Sequence, residues 1–130
     1  MTMHASGTFD VKLVPQNDAD TAEGIALGRL TIDKTFQGGL TGTSKGQMLS
    51  SGTESGGSAV YVAIERVTGT LGGKSGSFVL MHSGTMTKDE QKLSVIVAPK
   101  SATGELASLA GTFQIIIKDK KHFYEFDYTL

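Results

Sequence analysis

The sequence of 130 residues has no cysteine, two prolines and no apolar stretch as long as a membrane span. Without cysteine, disulfides, thiolate catalysis, zinc–cysteine sites and iron–sulfur clusters are excluded. The first residues form neither a basic segment nor an apolar run, so they predict no signal peptide. We therefore expect a cytoplasmic protein that does not interact with a membrane.

An excess of charge of one sign is also lacking, since 12 basic residues accompany 13 acidic ones and the formal net charge is −1. This balance supplies no field that would attract nucleic acid. No histidine stands at a recognisable metal-ligand spacing from another histidine or an acid, and no cofactor fingerprint appears. We therefore expect no metal, cofactor or nucleic-acid partner.

The lysine in segment 69–75, Gly-Thr-Leu-Gly-Gly-Lys-Ser, invites comparison with a phosphate-binding P-loop. The spacing is one residue too short, and a strand follows the segment where a P-loop needs a helix. The segment therefore predicts a glycine hairpin with an exposed lysine.

Glycine is abundant, at 17 residues, and hydrophobic residues make up 38% of the chain. Together with many Thr, Ser and Val residues, this composition favours short strands joined by tight turns in one domain spanning 1–130. Period-2 alternation predicts eight strands. They cover about 7–13, 28–36, 40–49, 59–68, 75–86, 93–98, 112–118 and 122–130.

Eight strands with short connections favour an all-β fold that closes into a single antiparallel up-and-down barrel, as in lipocalins, because closure removes exposed edges. A β-sandwich of the same strands is the alternative. Segment 100–110 is predicted to contain one helical turn, and Ile117 is placed inward on its strand. The alternation predicts an interior formed by Phe9, Val11, Leu13, Leu30, Ile32, Phe78, Leu80, Phe113, Ile115 and Phe126.

Four segments, 28–42, 69–86, 104–111 and 124–128, carry a resemblance that covers nearly the whole chain. The string Gly-Ser-Phe-Val-Leu-Met-His-Ser-Gly at 76–84 is its most specific part. Together they resemble a family of small bacterial proteins of unknown function with an allene oxide cyclase-like barrel. The resemblance implies an eight-stranded barrel and no established activity. No string matches the site residues of the plant cyclases, so none are carried over.

Polar residues in phase with apolar ones are the candidate site residues. Glu65 alternates in step with Tyr61, and His82 shares a strand face with Phe78 and Leu80. A carboxylate inside a barrel must be paired, hydrogen-bonded or neutral. We expect Glu65 and His82 to be buried neighbours. The alternatives are that Glu65 faces solvent and that His82 is a core histidine with its hydrogen bonds satisfied.

The last strand places Tyr124, Phe126 and Tyr128 on one face. They either fill the core or line a ligand cavity, in which case Tyr124 and Tyr128 are further binding residues.

Three functions are compatible with this pattern. The first is binding of a small apolar or amphipathic molecule among aromatic residues, oriented by Tyr61, Glu65 and His82. The second is an isomerase- or cyclase-type enzyme with Glu65 or His82 as acid or base, which requires both side chains to converge on one open cavity. The third is a structural homo-oligomeric module without a ligand.

A homodimer is expected because two adjacent strands are apolar on both faces. Val60, Val62 and Ile64 alternate with Tyr61 on the fourth strand, and the fifth strand is similar. One face must lie outside the barrel, and exposed apolar patches usually mark an interface. The alternative is that segment 100–110 covers the patch.

Overall fold

A computed structural model describes residues 2–16, 20–53 and 55–130 of the chain, which form a closed antiparallel barrel. Each strand pairs with the next, and the last pairs with the first. The strands are β1 (Met3–Pro15), β2 (Ile25–Gly38), β3 (Leu40–Thr53), β4 (Ser58–Leu71), β5 (Lys74–Thr87), β6 (Gln91–Val97), β7 (Ala110–Lys118) and β8 (Lys121–Thr129). The predicted up-and-down barrel is confirmed, and the sandwich alternative is wrong.

The strands are mostly longer than predicted, because several glycines taken for turn residues lie inside the ladder. Gly69 pairs with Gly42 across β3 and β4. A Cβ atom on Gly69 would lie 2.0 Å from the carbonyl oxygen of Thr41, so the two backbones approach too closely for a side chain. The turn itself lies at Gly72 and Gly73, where φ is positive. This glycine hairpin confirms the rejection of a P-loop.

One end of the barrel is tightly packed with large side chains. The backbone register points Val67, Phe78 and Phe126 into this end, and all three have no exposed surface. The ring of Phe113 packs against the rings of Tyr124 and Phe126 there. This end, which we call the closed end, contains most of the apolar core.

The connection between β6 and β7 completes the closed end. It contains the predicted helical turn, as a 3-10 turn at Gly104–Leu106, and it buries Leu106 and Leu109. Its Thr103 accepts a hydrogen bond from the backbone of Ser77 on β5. The connection therefore lies along the start of β5, and the proposal that it covers Val60, Val62 and Ile64 is wrong.

At the opposite end of the barrel, which we call the open end, some residues predicted to be interior are exposed. Six of the ten predicted interior residues are buried, and Val11, Leu30 and Ile115 are half-buried. Leu13 is 45% exposed, and Ile117 is 68% exposed. Both belong to the inward-facing set of their strands, but they lie near the strand ends that form the open rim. Alternation therefore predicts the direction of these side chains correctly and their burial wrongly.

No helix in the described part of the chain is long and apolar enough to cross a membrane.

Candidate functional site

A buried polar cluster lies at mid-height inside the barrel, centred on Glu65 of β4. Lys34 donates from Nζ to Glu65 Oε2 at 2.7 Å, and His82 donates from Nε2 to the same oxygen at 2.6 Å. Ser44 donates from Oγ to Oε1 at 2.8 Å. All four side chains are buried, and Glu65 has no exposed surface. The expectation that Glu65 and His82 are buried neighbours is confirmed, and the outward alternative for Glu65 is wrong.

The strand register brings these four residues together from four strands. Lys34 pairs with Ser44, which pairs with Val67, two residues along β4 from Glu65. Gly46 stands opposite Glu65, and a Cβ atom on it would lie 2.7 Å from the Glu65 Cβ. A side chain at position 46 would therefore occupy the space that the Glu65 side chain needs.

The environment of Glu65 acts on its pKa in two opposing directions. Burial raises the pKa, because a charged carboxylate loses hydration inside the barrel. The hydrogen bond from His82 and the positive charge of Lys34 outweigh burial and lower the pKa from 4.5 to about 2. Glu65 is therefore ionised at neutral pH, and its charge is compensated by Lys34. The ammonium group of Lys34 also lies 4.9 Å from the centre of the Phe9 ring, within range of a cation–π contact.

His82 connects this cluster to Tyr61. Because ionised Glu65 can only accept, His82 Nε2 must carry the proton in their hydrogen bond. His82 Nδ1 lies 3.5 Å from the Tyr61 hydroxyl oxygen, the outer limit of a hydrogen bond. In a neutral imidazole this nitrogen is an acceptor, so the Tyr61 hydroxyl can donate to it. Burial, followed by the negative charge of Glu65, raises the pKa of Tyr61.

Tyr61 lies on the wall of a cavity at the open end. The cavity has a volume of about 420 Å³ and is bounded by β2, β3, β4 and the end of β5. Apolar groups dominate its lining, which includes Leu30, Met48 and Met86, with Ser50 beside Tyr61. The ring of Tyr61 lies against Gly84, where a Cβ atom would be 2.5 Å from Tyr61 Cε1. Glycine at position 84 therefore allows the ring to adopt this position.

The structure does not bring Tyr124 and Tyr128 to this cavity. Both are buried at the closed end. The Tyr124 hydroxyl accepts a hydrogen bond from the Leu40 amide at 2.9 Å and lies 2.8 Å from the Gln37 carbonyl oxygen, to which it can donate. Both are core residues by position, and the hydrogen bonds of Tyr124 join β8 to the turn between β2 and β3.

Two members of the cluster, Lys34 and Ser44, are not among the site residues predicted from the sequence. The signal was present for Lys34, because it lies in phase with Leu30, Ile32 and Phe36 on β2. A lysine within an inward-facing apolar series needs a buried partner, and Glu65 is an acid in the same situation on β4. Ser44 gave no such signal, since serine is common on either face of a strand.

His4 has acidic partners that sequence spacing could not show. Its Nε2 contacts Glu125 at 2.5 Å and its Nδ1 contacts Asp127 at 2.7 Å, all on the outer surface. Hydrogen bonds with Asp127 and then Glu125 raise the pKa of His4. Among residues 2–16, 20–53 and 55–130, no group of three or more histidines and acids has the arrangement to hold a metal ion.

The outer surface of β3, β4 and β5 is apolar, as the sequence predicts. Val62 and Ile64 are more than half exposed, and Leu49 and Met81 extend the same surface on the neighbouring strands. The homodimer that would cover this surface stays a prediction.

The sequence matches a known protein family, and the fold matches a solved structure of that family. The sequence model of a family described as a protein of unknown function, DUF3224, matches residues 5–128. A crystal structure of a protein of unknown function from the same family, from Shewanella oneidensis MR-1, superposes with a TM-score of 0.94 at 48% sequence identity. That match covers 100% of this chain and 98% of the other. No curated protein matches the sequence.

Proposed function

The chain belongs to the DUF3224 family of proteins of unknown function, and from the geometry of its site we propose that it binds a small apolar or amphipathic molecule in the cavity at its open end. The observation that carries the proposal is that one end of the barrel is filled while the other holds a cavity of about 420 Å³ with an apolar wall and few hydroxyl groups. Concave, mostly apolar sites with few polar groups are typical of small-molecule binding.

The buried cluster supports this role by fixing the orientation of His82, whose Nδ1 lies 3.5 Å from the Tyr61 hydroxyl oxygen. Glu65 accepts from Lys34, Ser44 and His82, so His82 has a fixed orientation behind Tyr61. Side chains held in this way give a binding site a defined shape before the ligand arrives, which lowers the entropic cost of binding.

The isomerase or cyclase hypothesis is less well supported by the same geometry. Glu65 and His82 converge on each other, but neither is among the described residues that line the cavity. Glu65 is ionised near neutral pH and already receives three hydrogen bonds, so it has no proton to give and little capacity to accept one. Of the three polar residues proposed from sequence, Tyr61 alone lines the cavity.

Native mass spectrometry of the freshly purified protein tests the proposal, because it reports a retained molecule as added mass. The second measurement is fluorescence of Nile red, a neutral apolar dye, with the wild type and with Gly52→Phe. Gly52 lines the cavity, and a Cβ atom there meets other atoms at ordinary contact distances. Thr43→Phe, on the outer surface of the same strand, is the matched control.

We expect added mass in the wild type, and dye affinity that falls with Gly52→Phe and stays unchanged with Thr43→Phe. A wild type that carries no added mass, with dye binding unaffected by Gly52→Phe, would contradict the proposal.

A further inference from the structure

Two glycines that line the open-end cavity, Gly28 and Gly52, are required neither by close packing nor by backbone conformation. At every other glycine within a strand, a Cβ atom would lie less than 3.0 Å from another atom. A Cβ atom on Gly52 would lie 3.4 Å from the Ser58 carbonyl oxygen. On Gly28 it would lie 3.3 Å from the Ser50 hydroxyl oxygen, which rotation about χ1 can move. Neither glycine has φ in the left-handed region, so a larger residue would fit the backbone at both positions.

The two glycines leave part of the cavity wall without side chains. Gly52 pairs with Ala26 on β2 and with Ala59 on β4, and Gly28 lies diagonally across from Gly52. All four residues line the cavity and form one area across three strands, which we call the backbone patch. No side chain in the patch is larger than a methyl group, so a ligand can lie directly against the peptide groups. Because glycine weakens the interior of a strand, the protein keeps this space at some loss of stability.

The side chains beside the backbone patch are of types that favour an aromatic ligand. Tyr61 follows Ala59 on the inward face of β4 and lines the same cavity. Met48 precedes Gly52 on the inward face of β3, and Met86 stands opposite Ala59 on β5. Thioether sulfur makes favourable contacts with the edges of aromatic rings, and pairs of aromatic rings gain energy beyond the area that they bury. These groups therefore add affinity for a ring that lies on the patch.

We propose that the cavity selects molecules with a flat aromatic ring system, which lies against the backbone at Gly28 and Gly52. This inference rests on the proposed function, because it specifies the ligand of the same cavity. A rigid ring keeps its shape on binding, whereas a flexible acyl chain loses rotational freedom when it is ordered against a surface. A saturated ring is puckered, so fewer of its atoms reach contact distance from the patch.

The test compounds are 2-naphthol and its tetrahydro derivative in which the phenol ring is kept. They share the fused skeleton and the phenol group, but the second ring is flat in one and puckered in the other. The saturated compound is the more apolar, so hydrophobic transfer alone would favour it. Isothermal titration of the full chain at neutral pH should give an affinity for 2-naphthol at least about threefold above that for the tetrahydro derivative.

Valine at either glycine of the patch tests the position of the ring. Gly28→Val and Gly52→Val should each reduce 2-naphthol affinity at least about fivefold, because the new side chain occupies the place of the ring. Both variants should unfold at a urea concentration equal to or above that of the wild type, because valine favours strands. Met48→Leu keeps the volume but removes the sulfur, so it should narrow the ratio between the two compounds. Thr43→Val, on the outer surface of β3, is the matched control and should bind as the wild type does.

The outcomes separate the failure of this inference from that of the proposed function. Affinity for the tetrahydro derivative that equals or exceeds that for 2-naphthol overturns the flat ring while leaving a binding cavity in place. Valine variants that bind 2-naphthol as the wild type does, or that unfold at lower urea concentration, overturn the role of the two glycines and the inference with it. Failure of both compounds to bind also overturns the inference, and the proposed function fails with it only if the wild type carries no added mass in native mass spectrometry.

Discussion

Replacement of Glu65 by glutamine should destabilise the barrel by an amount that depends strongly on pH. Glutamine has nearly the same shape as glutamate but no charge, so Lys34 becomes a buried cation without a counter-charge. Its amide group also presents a donor where Lys34, His82 and Ser44 all donate. Breaking a buried ion pair by removing one partner typically costs about 3–5 kcal/mol.

The lowered pKa of Glu65 gives an independent figure for this loss of stability. Folding lowers this pKa from 4.5 to about 2, so the folded state favours the ionised form. At about 1.4 kcal/mol per pKa unit, the shift corresponds to about 3 kcal/mol of stability. Because the folded-state pKa is lowered, this contribution is fully present above pH 4.5 and is lost as the pH falls towards 2.

Urea denaturation followed by circular dichroism at several pH values between 7 and 2 measures this effect. The unfolding free energies of wild type and Glu65→Gln should differ by about 3 kcal/mol at pH 7 and converge as the pH falls below 4.5. Glu90→Gln, at an exposed surface position, should match the wild type throughout. A difference between wild type and Glu65→Gln that stays constant down to the lowest pH would refute the assignment of an ionised, charge-paired Glu65.

Three further substitutions test the cavity, the closed end and the outer surface. Gly84→Ala should displace the Tyr61 ring and lower both Nile red affinity, by fluorescence, and stability, by about 1–3 kcal/mol in urea. Tyr124→Phe leaves the Leu40 amide and the Gln37 carbonyl without their hydroxyl partner and should cost about 1–3 kcal/mol by the same assay. The wild type should sediment as a dimer at micromolar concentration, and Val62→Arg as a monomer, since a charge at an apolar interface is costly.

Each of these substitutions has a matched control within the chain. Gly52→Ala adds the same methyl group to the cavity wall without a close contact and should change neither affinity nor stability appreciably. Tyr128→Phe at the closed end should cost less than Tyr124→Phe, because the Tyr128 hydroxyl has no comparable pair of backbone partners among the described residues. Thr68→Arg lies on the outer face of the same strand as Val62 and should remain dimeric. A wild type that is monomeric at micromolar concentration would contradict the predicted interface.

Strand alternation predicts direction well in this chain and burial less well. It places Phe78, Leu80 and His82 inward together, as observed. It also places Leu13 and Ile117 inward, although both are exposed. The difference arises because period-2 patterning records which face a side chain occupies, whereas its burial depends on height along the barrel axis. Height depends on the register of neighbouring strands, which one sequence does not specify.

Part of the candidate site is predictable from local strand patterns, and the rest depends on contacts between residues far apart in the sequence. The sequence predicts that Glu65 and His82 are neighbours, because each is a polar residue within an inward-facing apolar series and the two strands are adjacent. Lys34 follows the same rule, but its 31-residue separation from Glu65 spans three strands, and joining them requires the register of β2, β3 and β4. The backbone partners of Tyr124 on the turn between β2 and β3 depend on barrel closure, which brings together residues 84 positions apart.

The contact between β6 and β7 has a consequence for how the native state opens. These strands pair at Ile96 and Thr112 alone, whereas β2, β3, β4 and β5 are joined by ladders of twelve or more pairs. Leu106 and Leu109, which lie in the connection between these two strands, are buried, so we expect side-chain packing to contribute to closure at this position. Amide protons near this junction should therefore exchange through local opening, on a shorter timescale than those at the centre of β3 and β4, which need global unfolding. Hydrogen exchange measured residue by residue would locate the junction, and equal protection on both sides of the barrel would show that the side-chain packing closes it as firmly as a full ladder.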